Sequence, residues 1–163
     1  MGQPVELKDI PEVLGLKNGF PPDMLGALYH DLEIELASLC LFDDTLPALK
    51  ALRTMGIKTA LCSNLVQPYT PPAQALLGNM VDVEVWSHEV GAIKTNPAIY
   101  QHVITKLGVP AAHILMVGDT VDADYTGPRL AGMQARHLAR KGTSPVAEHI
   151  TSLLDILPLI QAR

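Results

Sequence analysis

The loop Gly118-Asp119-Thr120-Val121-Asp122-Ala123-Asp124 follows the apolar run Ile114–Val117 and sets two carboxylates, Asp119 and Asp124, within about one turn of each other. Like charges so placed repel, an arrangement that makes sense where a hard divalent cation lies between them. Gly118 lets the backbone approach a ligand with no side chain in the way. A plainer reading has Asp119 and Asp122 capping the helix that follows, and composition alone leaves both open. Upstream, Ser63-Asn64 ends the apolar run Ile57–Cys62, and Lys94 closes Gly91-Ala92-Ile93-Lys94. Singly, Ser63 reads as a turn residue and Lys94 as a solvated charge. Their joint placement at three strand ends outweighs either single reading.

The elements that must position these residues alternate. Pro21-Pro22-Asp23 opens a helix carrying Leu25, Leu28, Leu32, Leu36 and Leu39 at helical spacing. Asp44 or Thr45 can cap a second helix, with Leu46, Leu49 and Leu52 on one face and Gly56 at its end. Ile57–Cys62 reads as a strand, Pro71-Pro72 as a helix start, and Val81–Trp86 as a strand whose Trp86 belongs to the core. Pro97–Leu107 reads as a helix closed by Gly108, then Ile114–Val117 as a buried strand. A helix runs through Leu130 to Gly132, Gln134–Leu138 reads as the last strand, and Ile150–Ile160 as a terminal helix interrupted by Pro158. Short apolar strands alternating with helices mean a parallel sheet covered on both faces. Chemistry in such sheets collects beyond the carboxyl ends of the strands.

On these residues the chain resembles the haloacid dehalogenase-like (HAD) hydrolases. Gly118-Asp119-x-x-x-x-Asp124, followed by Gly127, Ala131, Gly132 and Met133, looks like the family's fourth motif, whose two aspartates ligate magnesium. Thr59-Ala60-Leu61-Cys62-Ser63-Asn64 resembles the second, whose hydroxyl and backbone amide hold the phosphoryl group. Gly91-Ala92-Ile93-Lys94-x-x-Pro97-x-Ile99-Tyr100 resembles the third, whose lysine offsets the charge of phosphate and nucleophile; Thr95 stands where a proline is common. The resemblance implies an α/β fold, a Rossmann-like parallel sheet sandwiched by helices, with a remnant helical cap at the N-terminus. It assigns Ser63, Asn64 and Lys94 to phosphate, Ser63 and Lys94 to catalysis, Asp119 and Asp124 to the metal, and Mg2+ as cofactor at a weakened site.

The family's first motif, a strand ending in Asp-x-Asp whose first aspartate is the nucleophile, has no match in this sequence. Asp9 follows no apolar run, Asp43 and Asp44 are adjacent rather than two apart, and Asp122-Ala123-Asp124 lies inside the fourth motif. The reading is therefore of residues 1–40 as lead-in and remnant cap, and 41–163 as a core without its first strand. Such a core leaves two interior sheet edges facing each other, which favours a homo-oligomer over filling by residues 1–20. Whether the chain is an enzyme is left open. Phosphoric-ester or carbon–halide hydrolysis is what the resemblance implies, weak or absent without the nucleophile. The alternative is a non-catalytic binding or scaffold module using the residual anion pocket or the exposed sheet edge. A receiver-like signalling domain is disfavoured, because Trp86-Ser87 offers no phosphorylatable aspartate.

Composition narrows the partners. At 163 residues, 48% hydrophobic and 18% charged, the chain is long and apolar enough for one full core, supplied mainly by aliphatic residues since only two Phe and one Trp occur. The net charge of −5 and the absence of clustered Lys or Arg argue against nucleic acid. No apolar run approaches the ~20 residues of a membrane span, and no signal peptide is evident. The expected setting is the cytoplasm, and the expected partner a small phosphorylated or anionic molecule. Cys40 and Cys62 read as buried free thiols. The six histidines lack metal-ligand spacing and read as surface residues, while Arg136, Arg140 and Lys141 could attract an anion.

Overall fold

The computed structural model describes residues 19–161, which divide between two compact units, 19–40 with Val66–Leu76 and Leu41–Leu65 with 77–161. Asp9 and the rest of the expected lead-in lie outside the described residues.

In the first unit, helix α1 (Pro22–Ala37) starts with proline in its first turn and Asp23 near the positive end of the helix dipole. Leu25, Leu28, Leu32 and Leu36 are half-buried, as their shared face requires. Ser38 ends the helix, its N–H bonding to Ile34 and its hydroxyl donating to the Glu35 carbonyl at 2.7 Å. The Glu35 carboxylate accepts the Tyr69 hydroxyl, which raises the Tyr69 pKa. Tyr69 lies in a 3-10 turn, Gln67–Tyr69, that leads into the helix opened by Pro71 and Pro72.

The second unit holds every described strand. We label α2 (Thr45–Thr54), β1 (Ala60–Ser63), α3 (Thr70–Leu77, running into this unit from the first), β2 (Val83–Trp86), α4 (Ser87–Val90), α5 (Pro97–Leu107), β3 (Leu115–Gly118), α6 (Gly127–Leu130), β4 (Gln134–Leu138), β5 (His149–Ile150) and α7 (Ile156–Gln161). All pairings are parallel: Ser63 lies opposite Trp86 in β1–β2, Gly118 opposite His137 in β3–β4, and Leu138 opposite Ile150 in β4–β5. The expected α/β fold of parallel sheets and helices is therefore present, but in two sheets, β1–β2 and β3–β4–β5.

Helix α5 shows why the local pattern is decisive. Asn96 caps it by accepting the Ala98 N–H at 3.0 Å, Pro97 occupies its first turn, and Gly108 ends it at φ 66. Its inner face carries Ile99, Tyr100, Val103 and Leu107, which pack with Val85 of β2 and with Ile114 and Met133. Ile99 and Val85 are fully buried, each contributing roughly 2 kcal/mol by removal from water. A second cluster joins Leu52 of α2 to Leu138, Ile150 and Ile156, with Leu115 and Val117 of β3 against it. Trp86 is 1% exposed, as a core residue should be.

Several expectations need correction. Ile150 belongs to a strand rather than to a terminal helix, which begins at Ile156 and takes Pro158 in its first turn, where a missing N–H costs nothing. Asp44 makes no cap bond to its helix. Cys40 is exposed and Cys62 half-buried, both free. His137 is buried rather than superficial. Arg140 is committed to Asp44 and is no free anion attractor. Among the described residues no helix is long and apolar enough to cross a membrane.

Candidate functional site

β1 ends at Ser63, with Asn64 just beyond its carboxyl end, and β3 ends at Gly118, with Asp119 just beyond its own. Lys94 ties the two ends together. Its backbone N–H donates to Asn64 Oδ1 at 2.6 Å, and its ammonium donates to Asp124 Oδ1 at 2.7 Å. The carboxyl ends of β1 and β3 therefore lie on the same side, and three residues singled out by sequence, Asn64, Lys94 and Asp124, meet in one chain of contacts.

Asp124 is 2% exposed, an unusual burial for a carboxylate, and is held by the partly buried Lys94 and by the Thr120 N–H, which donates to Oδ2 at 3.1 Å. Its backbone lies in a π-helical turn, Val121–Thr126, of the kind that re-aims side chains at functional places. Gly118 makes this possible: a Cβ there would stand 2.3 Å from the Asp124 carboxyl carbon. The glycine is required by close approach of a side chain.

Tyr100 braces the site from α5. It accepts the Thr95 N–H at 2.8 Å and donates its hydroxyl to the Ala123 carbonyl at 2.8 Å, so one buried phenol fixes both loops. Burial raises its pKa. Gly127 gives it room, since a Cβ there would come within 2.3 Å of the phenol oxygen. Thr95 has φ 100, a conformation that a proline ring cannot adopt. The departure from the family's third motif is thus accompanied by a backbone that proline would forbid.

Asp119 is exposed, with its side chain within 3.5 Å of the Thr120 hydroxyl. Its carbonyl lies 3.0 Å from His137 Nε2; a carbonyl only accepts, so that nitrogen carries hydrogen, while Nδ1 meets Ser144 Oγ at 2.7 Å. Ser63 sits beside Asn64, its hydroxyl accepting the Leu65 N–H at 3.3 Å. Asp122 is exposed, and Asp43 is exposed in the turn before α2, with no strand leading into it. Sequence reasoning missed the bracing roles of Tyr100 and His137; the third motif does contain Tyr100, whereas nothing local marks His137.

Cys62, one residue before Ser63, lies within electrostatic reach of the pair. Burial pushes its thiol up to about 11, with Lys94 opposing and Asp124 adding to the rise. Leu61, Cys62, Lys94 and Asp124 line a cavity of about 830 Å³ that opens between β1 and β3. Asp119 and Asp124 are oxygen donors of the kind magnesium takes, since that ion is commonly held by one or two carboxylates together with phosphate. The donor set fits the ion in that limited sense; among the described residues no three His, Cys, Asp or Glu side chains converge.

A family model described as haloacid dehalogenase-like hydrolase matches residues 7–132. The chain belongs to that family. A phosphatase from Mycobacterium tuberculosis is 34% identical over 121 residues, covering 71% of this chain and 55% of the relative. A glyceraldehyde 3-phosphate phosphatase from Methanopyrus kandleri is 33% identical over 114 residues, covering 69% and 48%. The crystal structure of a HAD phosphatase from Thermococcus onnurineus superposes with a TM-score of 0.72 at 26% identity, covering 93% of this chain and 77% of that one. The chain spans about half the length of these curated relatives, so the HAD-like fold is shared while the activity of a whole relative is not thereby established.

Proposed function

We propose that this chain is the phosphate-handling core of a phosphatase-type HAD hydrolase, weak or inactive in turnover as it stands. The observation that carries the reading is Lys94 joining Asn64, beyond β1, to the buried Asp124, beyond β3. In this reading the Lys94 ammonium offsets phosphate charge, while the Ser63 hydroxyl and the amides around Asn64 orient the phosphate oxygens. Asp119 and Asp124 would hold magnesium, which when bound supplies positive charge against the phosphoryl oxygens. Lys94, Asp119 and Asp124 together carry a formal charge of −1, so these residues alone repel an anion. Phosphate affinity should therefore depend on the cation.

The relatives named as phosphatases favour phosphoric esters over carbon–halide substrates. The expectation of weak turnover rests on the described aspartates: Asp44 is bound to Arg140, and Asp43 stands at no strand end. Loss of a nucleophile costs several orders of magnitude in rate. Purified chain assayed with an aryl phosphate and magnesium should show no turnover above background. Robust magnesium-dependent turnover abolished by Asp119→Asn would overturn the weak-turnover reading.

A further inference from the structure

The Asp119 carboxylate is loosely held, its contact with the Thr120 hydroxyl being a long 3.5 Å. The peptide that follows it is held firmly. That peptide joins the Asp119 carbonyl to the Thr120 N–H, and in a trans peptide the two point in opposite directions. Both ends are engaged. The N–H donates to Asp124 Oδ2 at 3.1 Å, and the carbonyl accepts from His137 Nε2 at 3.0 Å. Rotating the peptide, which changes Asp119 ψ and Thr120 φ together, breaks both bonds at once.

His137 is an unexpected residue for its place. β4 pairs on both sides, with β3 and β5, and its other buried members are Ala135 and Leu138. An apolar side chain would pack there without the cost of burying a polar ring. The ring uses both nitrogens. With hydrogen on Nε2, the neutral ring leaves Nδ1 bare; the Ser144 hydroxyl donates to it at 2.7 Å and accepts the Val146 N–H at 3.1 Å. Ser144 lies in the loop after β4, which Gly142 turns at φ 77. The ring therefore spans from that loop to the Asp119 carbonyl.

We propose that His137 is a positioning residue for the magnesium loop: it fixes the Asp119–Thr120 peptide, so that Asp119 and Asp124 present their oxygens to the cation in one arrangement. The inference rests on reading those two aspartates as the magnesium pair. Partners one step behind a ligand set its direction, and their loss commonly weakens metal binding about 10- to 100-fold. Two substitutions separate the ring's two bonds. Glutamine carries its amide nitrogen about as far as Nε2 and can donate to the Asp119 carbonyl, whereas asparagine reaches only as far as Nδ1.

The test needs no turnover. In the wild type, a proton–nitrogen correlation spectrum of the imidazole should show Nε2 protonated and Nδ1 bare. The reverse tautomer cannot donate to Asp119 and would overturn the proposal without any variant. Amide exchange is then compared in the full chain free of magnesium. His137→Asn should speed exchange at Thr120 by about tenfold or more while Ile99 and Val103 of α5 stay unchanged, and His137→Gln should stay within about threefold of wild type. Titration with magnesium chloride, followed at the Thr120 amide, should give the same order, with affinity about tenfold lower or more in the asparagine variant and restored in the glutamine one. Equal effects of the two substitutions, or none, would overturn the proposal by reducing the ring to core filling. A wild type that ignores magnesium would instead overturn the reading of the metal pair, and the magnesium-free exchange would still decide whether His137 holds the peptide.

Discussion

Two aspartates of the second unit have the same chemistry and opposite surroundings. Asp44 receives four hydrogen bonds, two from Arg140 at 2.9 and 3.0 Å, one from the Ser152 hydroxyl at 2.8 Å and one from the Leu153 N–H at 2.8 Å. A carboxylate offers about four acceptor positions, so Asp44 is saturated. Asp124 is the more deeply buried yet receives two, from Lys94 and Thr120, and it borders the cavity. The difference separates a structural clasp from a poised site. A carboxylate with every lone pair used ties α2 to the segment before α7; one with unused capacity beside a cavity can take another ligand.

Gly118→Ala pushes a methyl group into the Asp124 carboxylate and should cost about 3 kcal/mol, because Asp124 is pinned by both partners. Urea unfolding should show this, with the Asp44 clasp untouched. A loss below about 1 kcal/mol would mean that Asp124 can swing away freely.

Asp44→Asn should cost somewhat less, about 2 kcal/mol. The Arg140 guanidinium, before any other cause, holds the Asp44 carboxyl down at about 2 against its usual 3.8. A folded pKa below the unfolded one gives stability that is present above about pH 4 and lost as pH falls toward 2. The wild type should therefore converge on the asparagine variant in stability across that window, and a gap that stays constant to pH 2 would contradict the assignment. The smallest effect is expected at the exposed Arg129–Glu148 pair, where Arg129→Ala should change stability by less than about 0.5 kcal/mol in thermal melts. It supplies the exposed-pair baseline for the half-buried Asp44 and the buried Asp124.

Much of this was legible in the sequence where the determinants are local. Asn96, Pro97 and Gly108 mark both ends of α5, and Gln134–Leu138 is a strand over the span its apolar pattern indicates. β5 was not legible because two residues carry no periodicity, and Ile150 fits a helical stripe equally well. The meeting of Asn64, Lys94 and Asp124 could be anticipated from motif order, since strand ends in a parallel sheet converge. The clasp could not. Arg140 is 96 residues from Asp44, and an aspartate before a helix reads locally as a cap. His137 behind Asp119 is equally remote, a β4 side chain whose partner depends on strand order.

In the proposed reading, Asn64, Lys94, Asp119 and Asp124 act as one cation-dependent anion site. It is tested most directly by following backbone amide resonances while inorganic phosphate is added, with and without magnesium. Asn64, Lys94, Asp119 and Thr120 should shift together along one binding curve only when magnesium is present, and Lys94→Gln should remove the response. Shifts confined to one of these loops, or identical without the cation, would contradict it.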